Sequence, residues 1–449
     1  MILNKKGMVL CLFLFLTNNL FAQKKPNIVL FFVDDLGWAD LGFRNSVFET
    51  PNIDQLKKEG MSFERAYIST PTCSPSRASL LTGKEPVRFQ MVRHIPETPD
   101  YGFDENGRTK NEFHLWPTDP VQMPSRNWLP VSEITYAERL KKLGYFNQFI
   151  GKWHLGSEGF HPTDQGFDSQ IGASNFGHPK SYYTPFFKSN NPLEDSQDGS
   201  YLTDVLTQKS KDFIANYAQE KPFMLSLWYY SVHAPHIGRK DLVAKFKAKG
   251  LEGKYAEYAA MVASVDASIG EIRKTLQEKG LAENTVLMFI SDQGGFFTNA
   301  PLSGGKIGGN TLGEGGARVP FLVYYPGVTK PSSETQIPVQ SIDIYPTLVE
   351  IASGKKCTDK QINGKSLLPL LKGETMAKRN LFFLRSYEDQ YAAVINGDWK
   401  MVKYHSGKYE VFNIAKDISE KHNLYRDSDP ESKKLKLALT KWEAEVAVK

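Results

Sequence analysis

Four nearly unbroken apolar runs, each ending in a cluster of polar groups, limit what this chain can fold into. NIVLFFVDD is apolar from Ile28 to Val33 and stops at Asp34 and Asp35, and GYFNQFIGKWH runs from Tyr145 to Ile150 and reaches Lys152 and His154. FMLSLWYYSVHAPH runs from Phe223 to Tyr230 and leads to His233 and His236, and TVLMFISDQGG runs from Val286 to Ile290 and leads to Asp292 and Gln293. A strand apolar at consecutive positions is buried on both faces, as in a parallel sheet covered by helices. Helical patterns lie between the runs, at 53–59, 132–143, 202–219 and 255–280, the last closing on Lys279 and Gly280 as a helix stop. This alternation predicts an α/β fold, a large and mostly parallel sheet flanked by helices. Ligands of such sheets bind at the carboxyl ends of the strands, where all four polar clusters fall.

Elsewhere the pattern changes. Residues 88–130 and 176–200 are rich in Pro, Asp, Asn and aromatic residues without periodicity, and read as long irregular insertions. Beyond about residue 377, LFFLRS, YAAVING, WKMVKYHSG and KYEVFNI alternate between turn signals, which predicts a smaller C-terminal antiparallel sheet. The end places Leu435, Leu439, Trp442 and Val446 on one face of a packed terminal helix. At the start, Lys5 and Lys6 precede an apolar run from Met8 to Leu16 and a small residue at Ala22, the pattern of a secretion signal. That run is well short of the roughly 20 residues of a bilayer span. The expected organisation is a signal peptide at 1–22, a catalytic domain at 23–376 and a C-terminal subdomain at 377–449.

The formal charge of +5 over 449 residues, about +3 without the two leader lysines, is too small to argue for nucleic acid or a membrane surface. Of the three cysteines, Cys11 would leave with the leader. Cys73 and Cys357 allow one disulfide but no disulfide scaffold, and Cys357 reads as a free or buried thiol. Cys73 lies in TPTCSPSRASLLTG. Ser74 and Pro75 suit an N-cap and first helical position and Gly83 a stop, so a helix is expected over 75–82 with Cys73 just before it. A helix start favours an anion, Arg77 can fold back toward Cys73, and an unmodified thiol there would be a low-pKa nucleophile.

CSPSR followed by ASLLTG matches the C-x-P-x-R signature of the type I sulfatases, of the alkaline-phosphatase superfamily. PNIVLFFVDDLGWADLG, TPNIDQLKKEGMSFERAY, GKWHLG, SDQGG, GGK followed by GEGGARVPF, DIYPTL and VFNIAKD resemble further family segments in the right order. The resemblance spans almost the whole mature chain. It implies an alkaline-phosphatase-like fold and oxidation of Cys73 to formylglycine (3-oxoalanine) by a formylglycine-generating or sulfatase-maturating enzyme. One hydroxyl of its hydrate would attack the sulfur of a sulfate ester, and the other would later expel sulfate, an exit that a serine or thiolate lacks. Asp34, Asp35, Asp292 and Gln293 are oxygen donors suited to a hard cation, and by resemblance they hold one Ca²⁺ together with modified Cys73. Gln293 stands where the family more often has Asn or His. Arg77 and Lys152 would hold the formylglycine hydroxyls, and His154 would take the proton that lets sulfate leave. Lys306 and His236 would grip sulfate oxygens, one of them protonating the departing alcohol, with His233 ranked below His236 for that role.

Blander readings stand beside these. Paired aspartates often make turns, lone lysines are usually solvated, and Trp228, Tyr229 and Tyr230 read as core. His94, His114 and His178 carry no assignment by themselves, but their place in the insertions makes them candidates for sugar contacts. The favoured reading is a secreted or periplasmic sulfatase acting on a sulfated sugar. A phosphatase or phosphonate hydrolase of the superfamily is one alternative, and a non-catalytic glycan-binding relative is another.

Overall fold

The strand Asn27–Val33 (β1), apolar after Asn27 and buried along its length, lies deep in an eight-stranded sheet. The structure is a computed structural model that describes residues 24–120, 122–189 and 192–446, so the leader read at 1–22 lies outside the described residues. The other strands of this sheet are Met61–Phe63 (β2), Phe146–Gly151 (β3), Ser169–Ile171 (β4), Phe223–Trp228 (β5), Thr285–Ser291 (β6), Phe321–Tyr324 (β7) and Ser333–Thr335 (β8). Their order is β8-β2-β7-β6-β1-β5-β3-β4, and β7 is the strand that runs against the rest. The expected α/β architecture is therefore present, with the four apolar runs as neighbours at its centre.

Because β1 is covered on both sides, its alternate residues feed two cores. Val29, Phe31 and Val33 face one that contains Leu206 and Ile269, from the helices Leu202–Asn216 and Gly253–Glu278. Ile28, Leu30 and Phe32 face the other, with Leu80, Tyr136 and Leu348 from the helices Cys73–Thr82, Tyr136–Lys142 and Ile344–Ser353. Each such side chain contributes on the order of 1.5–3 kcal/mol by leaving water.

Several boundaries differ from the sequence reading for local reasons. The helix expected from residue 132 starts at Tyr136, because Thr135 and Glu138 form a reciprocal capping box. The run through Tyr230 stops pairing at Trp228, although Trp228, Tyr229 and Tyr230 are all buried as expected of core.

Four antiparallel strands, Asn380–Tyr387 (β9), Gln390–Asn396 (β10), Trp399–Tyr404 (β11) and Tyr409–Asn413 (β12), form the C-terminal sheet. One face packs on the terminal helix Pro430–Val446 through Leu435, Leu439, Trp442 and Val446. The other face meets Tyr67, Leu312 and Ala317 of the main body. The insertion at 88–130 is mostly irregular, pinned by a short pairing of Phe113–His114 with Ser125–Arg126. No helix of the described residues is long and apolar enough to cross a membrane.

Candidate active site

Strand register sets the site. Val33 pairs with Ser291, so Asp34 and Asp292 leave adjacent strands at one level, and the Asp292 N–H donates to Val33 O at 3.0 Å. Gly151 and Phe32 both pair with Trp228, which puts Lys152 on the same rim, and its N–H donates to Trp228 O at 2.8 Å. The next residues turn sharply: Asp35 and His154 sit in the left-handed region at φ 62° and 56°. Side chains other than Gly occupy that region only where surrounding contacts enforce it, and such residues concentrate at functional sites.

Cys73 reaches the rim from the helix Cys73–Thr82, and here three expectations need correction. The helix begins at Cys73 itself, with Thr72 extended before it and its carbonyl accepting from the Ser76 N–H at 2.9 Å. Ser74 does not cap; its hydroxyl accepts the N–H of Ile95 at 3.1 Å, which ties the helix to the insertion loop. Arg77 does not fold back on Cys73. Its guanidinium donates to Lys152 O at 3.0 Å and Asp292 Oδ2 at 3.2 Å, and lies 3.6 Å from Asp34 Oδ1. Carboxylates outcompete a neutral thiol for that cation. The thiol is also not activated as a plain nucleophile would be, since burial pushes it up to about 11 despite Lys152 nearby. Cys73 and Cys357 are both free, so the disulfide allowed by the sequence is absent.

The acidic groups form one buried set. Ligand atoms of Asp34, Cys73 and Asp292 lie within 4.8 Å of one another, as do those of Asp35, Cys73 and His233. Burial opposes charge on Asp34, yet the ammonium of Lys152 and the guanidinium of Arg77 hold it well below the usual carboxylate range. Burial and the neighbouring Asp34 push Asp35 and Asp292 upward instead, although Lys306 opposes this at Asp35 and Arg77 at Asp292. Three carboxyls and the three cations Arg77, Lys152 and Lys306 are thus packed into one buried cluster. Asp34 Oδ1, fully buried, has no hydrogen-bond partner, as expected of an atom reserved for a cation. Gln293 Nε2 contacts Asp35 Oδ1 at 2.6 Å and Cys73 Sγ at 3.3 Å. Turning that amide over exchanges two nearly isosteric groups and brings an oxygen to the same place. The donor set therefore fits a hard, oxygen-seeking divalent ion.

Above this floor opens a cavity of about 450 Å³ lined by Cys73, His94, Trp116, His154, His178, His233, Phe296 and Lys306, among others. Lys306 pairs with Asp35, whose carboxylate outweighs the cost of burial and holds the ammonium charged. His154 Nε2 is 2.7 Å from Ile95 O and its Nδ1 is buried without a partner. Burial first and Lys152 second keep its ring neutral. His233 lies 3.7 Å from Asp35 Oδ2 and stacks on His178 at 5.3 Å. His236, which the family resemblance put ahead of His233, sits instead among Tyr258, Phe296 and Phe297, lowered by burial to about 4. His114 does not line the cavity; it binds Asn127 at 2.7 Å and lies behind Trp116. The His94 ring meets that of Trp116 at 4.9 Å, tilted by 56°. Trp116, Phe296 and Glu97, which pairs with Lys180 at the rim, are cavity residues that sequence reasoning missed. The signal for Trp116 and Glu97 was the aromatic and polar bias of the insertion at 88–130, whereas Phe296 follows the SDQGG segment at the end of β6.

Known proteins resemble the chain along most of its length. The family model described as Sulfatase matches residues 26–354, and one described as N-sulphoglucosamine sulphohydrolase, C-terminal, matches 311–446. The chain is 33% identical over 407 residues to N-acetylgalactosamine-6-sulfatase of Mus musculus, covering 84% of this chain and 72% of that one. It is 30% identical over 498 residues to a sulfatase of Formosa agariphila, covering 93% and 87%. The crystal structure of Ps i-CgsB in complex with k-i-k-neocarrahexaose superposes with a TM-score of 0.78 at 29% identity over 93% of each chain.

Proposed function

Because the chain belongs to the sulfatase family and is a sulfuric ester hydrolase, we propose that it desulfates a sulfated carbohydrate through formylglycine made from Cys73 and one Ca²⁺. One observation carries the reading: the Cys73 sulfur lies among Asp34, Asp35, Asp292 and Gln293, ringed by cations, at the floor of a cavity lined by rings. The relative named for N-acetylgalactosamine-6-sulfate chemistry and the structure solved with k-i-k-neocarrahexaose support a sugar substrate.

Asp34, Asp35, Asp292 and Gln293 would hold the cation, which supplies Lewis acidity toward a sulfate oxygen and the adjoining hydroxyl. A formylglycine hydrate at residue 73 supplies a nucleophilic hydroxyl and a second hydroxyl through which sulfate can be released. Lys152 lies beside the side chain at 73, and Arg77, which bonds Lys152 O and Asp292, would act on it by holding those neighbours in place. The ammonium of Lys306 faces the sulfate oxygens. His154, neutral in its buried site, accepts a proton at Nδ1, the nitrogen left without a partner. His233, on the cavity wall, is better placed than His236 to protonate the departing alcohol. His94 and His178, with Trp116, offer ring faces and hydrogen bonds to the sugar, whereas His114 supports Trp116 from behind.

Cys73 is only 7% exposed, so its oxidation by a maturating enzyme fits a step taken before folding closes over it. The leader-like segment at 1–22 supports export to the periplasm or beyond the cell. The main body to residue 376 would carry the chemistry, and 377–449 would form a C-terminal subdomain.

The test is turnover by matured enzyme on a panel of galactose, N-acetylgalactosamine, N-acetylglucosamine and uronic acid units with defined sulfate positions. It is joined by the sulfate and phosphate esters of one aryl alcohol and by mass analysis of the Cys73 peptide. Desulfation that is lost by at least about 10⁴-fold in Cys73→Ala supports the reading. Faster turnover of the phosphate ester, or an unmodified thiol in protein from its native host, overturns it.

A further inference from the structure

Lys306 lies in a segment with little rigidity of its own: Gly304, Gly308 and Gly309 take φ of 71°, 90° and 78°. Its ends are nonetheless fixed, in part within the main body, where the Gly315 N–H donates to Ser303 O at 2.6 Å and Asn299 Nδ2 to Gly304 O at 3.3 Å, and in part by groups of the C-terminal sheet and the loop after it. On β10, Gln390 is 2% exposed. Its Oε1 accepts the Leu312 N–H at 2.9 Å, and its Nε2 donates to Asn310 Oδ1 at 2.7 Å. At the other end, the Ser303 hydroxyl donates to the carboxylate of Glu420, which also accepts the Glu314 N–H at 2.7 Å. Lys400, from β11, lies 2.8 Å from Glu420 and 3.0 Å from Glu314, with the three side chains 1%, 4% and 0% exposed. Between these anchors the Gly305 N–H reaches Asn310 O at 3.3 Å and the Lys306 N–H reaches Gly295 O at 3.1 Å.

We propose that Gln390 and Glu420 are positioning residues for Lys306: the C-terminal part of the chain clamps both ends of this glycine-rich loop and so holds the ammonium over the sulfate position. Breaking one anchor frees backbone torsions at the glycines, and displacement of a charge-stabilising group by about 1 Å is enough to cost on the order of 10²-fold in rate. The proposal rests on the reading of Lys306 as a sulfate-binding cation.

The test is a double-mutant cycle on matured, full-length enzyme, reading kcat/KM on an aryl sulfate and inhibition by inorganic sulfate. Lys306→Ala alone is expected to lower kcat/KM by about 100-fold, and Gln390→Ala by about 10-fold, with weaker sulfate inhibition in both. If Gln390 acts through Lys306, adding Gln390→Ala to Lys306→Ala costs less than about 2-fold more. Losses that multiply, or a Gln390→Ala enzyme with unchanged kinetics, overturn the proposal. A Lys306→Ala enzyme with unchanged kinetics overturns instead the reading of Lys306. Glu420→Ala gives a second cycle should Gln390→Ala not fold. Glu420→Gln, which keeps an acceptor for Glu314 and Ser303, is expected to recover most of the Glu420→Ala loss, and failure to do so counts against the clamp.

Discussion

The ammonium of Lys152 rests on the carboxylate of Asp34, and neither side chain is exposed to solvent at all. A buried pair of this kind adds little net stability as a pair, because desolvating both ions offsets their attraction, but removing one partner strands the other. Lys152→Met is therefore expected to lower unfolding free energy by about 3–5 kcal/mol in the presence of a chelator. Saturating Ca²⁺ should restore part of that, since a cation would neutralise Asp34 again. Denaturant unfolding with and without chelator measures both, and equal stability of variant and wild type would refute the dependence.

Calcium itself should stabilise the fold. A ligand bound only by the native state at about 100 times its Kd adds about 2.7 kcal/mol. Thermal scans should show a Tm that rises with Ca²⁺ and a much smaller rise for Asp292→Asn. A larger response to zinc than to calcium would contradict the oxygen-donor assignment.

Far from the site, Asp266 on the helix Gly253–Glu278 accepts the Ile53 N–H and the Asn52 amide, each at 2.8 Å, and so caps the helix Pro51–Glu59 from outside. Burial outweighs those hydrogen bonds and raises the carboxyl from 3.8 to about 6. The folded state thus retains a proton that the unfolded chain has already lost, and this contribution to stability falls as pH rises from about 4 to about 6. Asp266→Asn should flatten that part of the stability profile by about 1–3 kcal/mol. An unchanged slope between those pH values would show that Asp266 is ionised in the fold.

The terminal helix offers a packing test. Trp442 stacks on Phe382 at 5.1 Å and 7°, and its indole N–H donates to Glu85 Oε2 at 2.9 Å, which joins the C-terminal sheet to the main body. Trp442→Ala should cost about 3–5 kcal/mol. Trp442→Phe, which keeps a ring on Phe382 and loses the hydrogen bond, should cost about 1–3 kcal/mol by leaving Glu85 short of a buried donor. Equal losses in the two variants would assign the effect to the hydrogen bond rather than the ring.

Much of this could be read before any coordinates. Apolar continuity at 28–33, 223–228 and 286–290 marked strands covered on both faces, and the aspartates after the first and last of these runs had to lie at strand ends. The terminal helix showed its buried face directly, since Leu435, Leu439, Trp442 and Val446 repeat at helical spacing. The start of the Cys73 helix and the aim of Arg77 were misread because both depend on distant partners. Ser74 could cap its own helix or bind Ile95, and Arg77 could face Cys73 or Asp292. Local sequence holds both options open.

Sequence alone determined which residues alternate, which are continuous and therefore which elements form, because periodicity of burial is a local property of the chain. Tertiary structure decided which strand ends meet, that His233 rather than His236 lines the cavity, and that residues near 390 and 420 secure the loop of Lys306. Those choices lie in aperiodic segments and in contacts between residues far apart in the chain. Their free energy comes from packing and charge compensation in three dimensions, of which a linear pattern carries no trace.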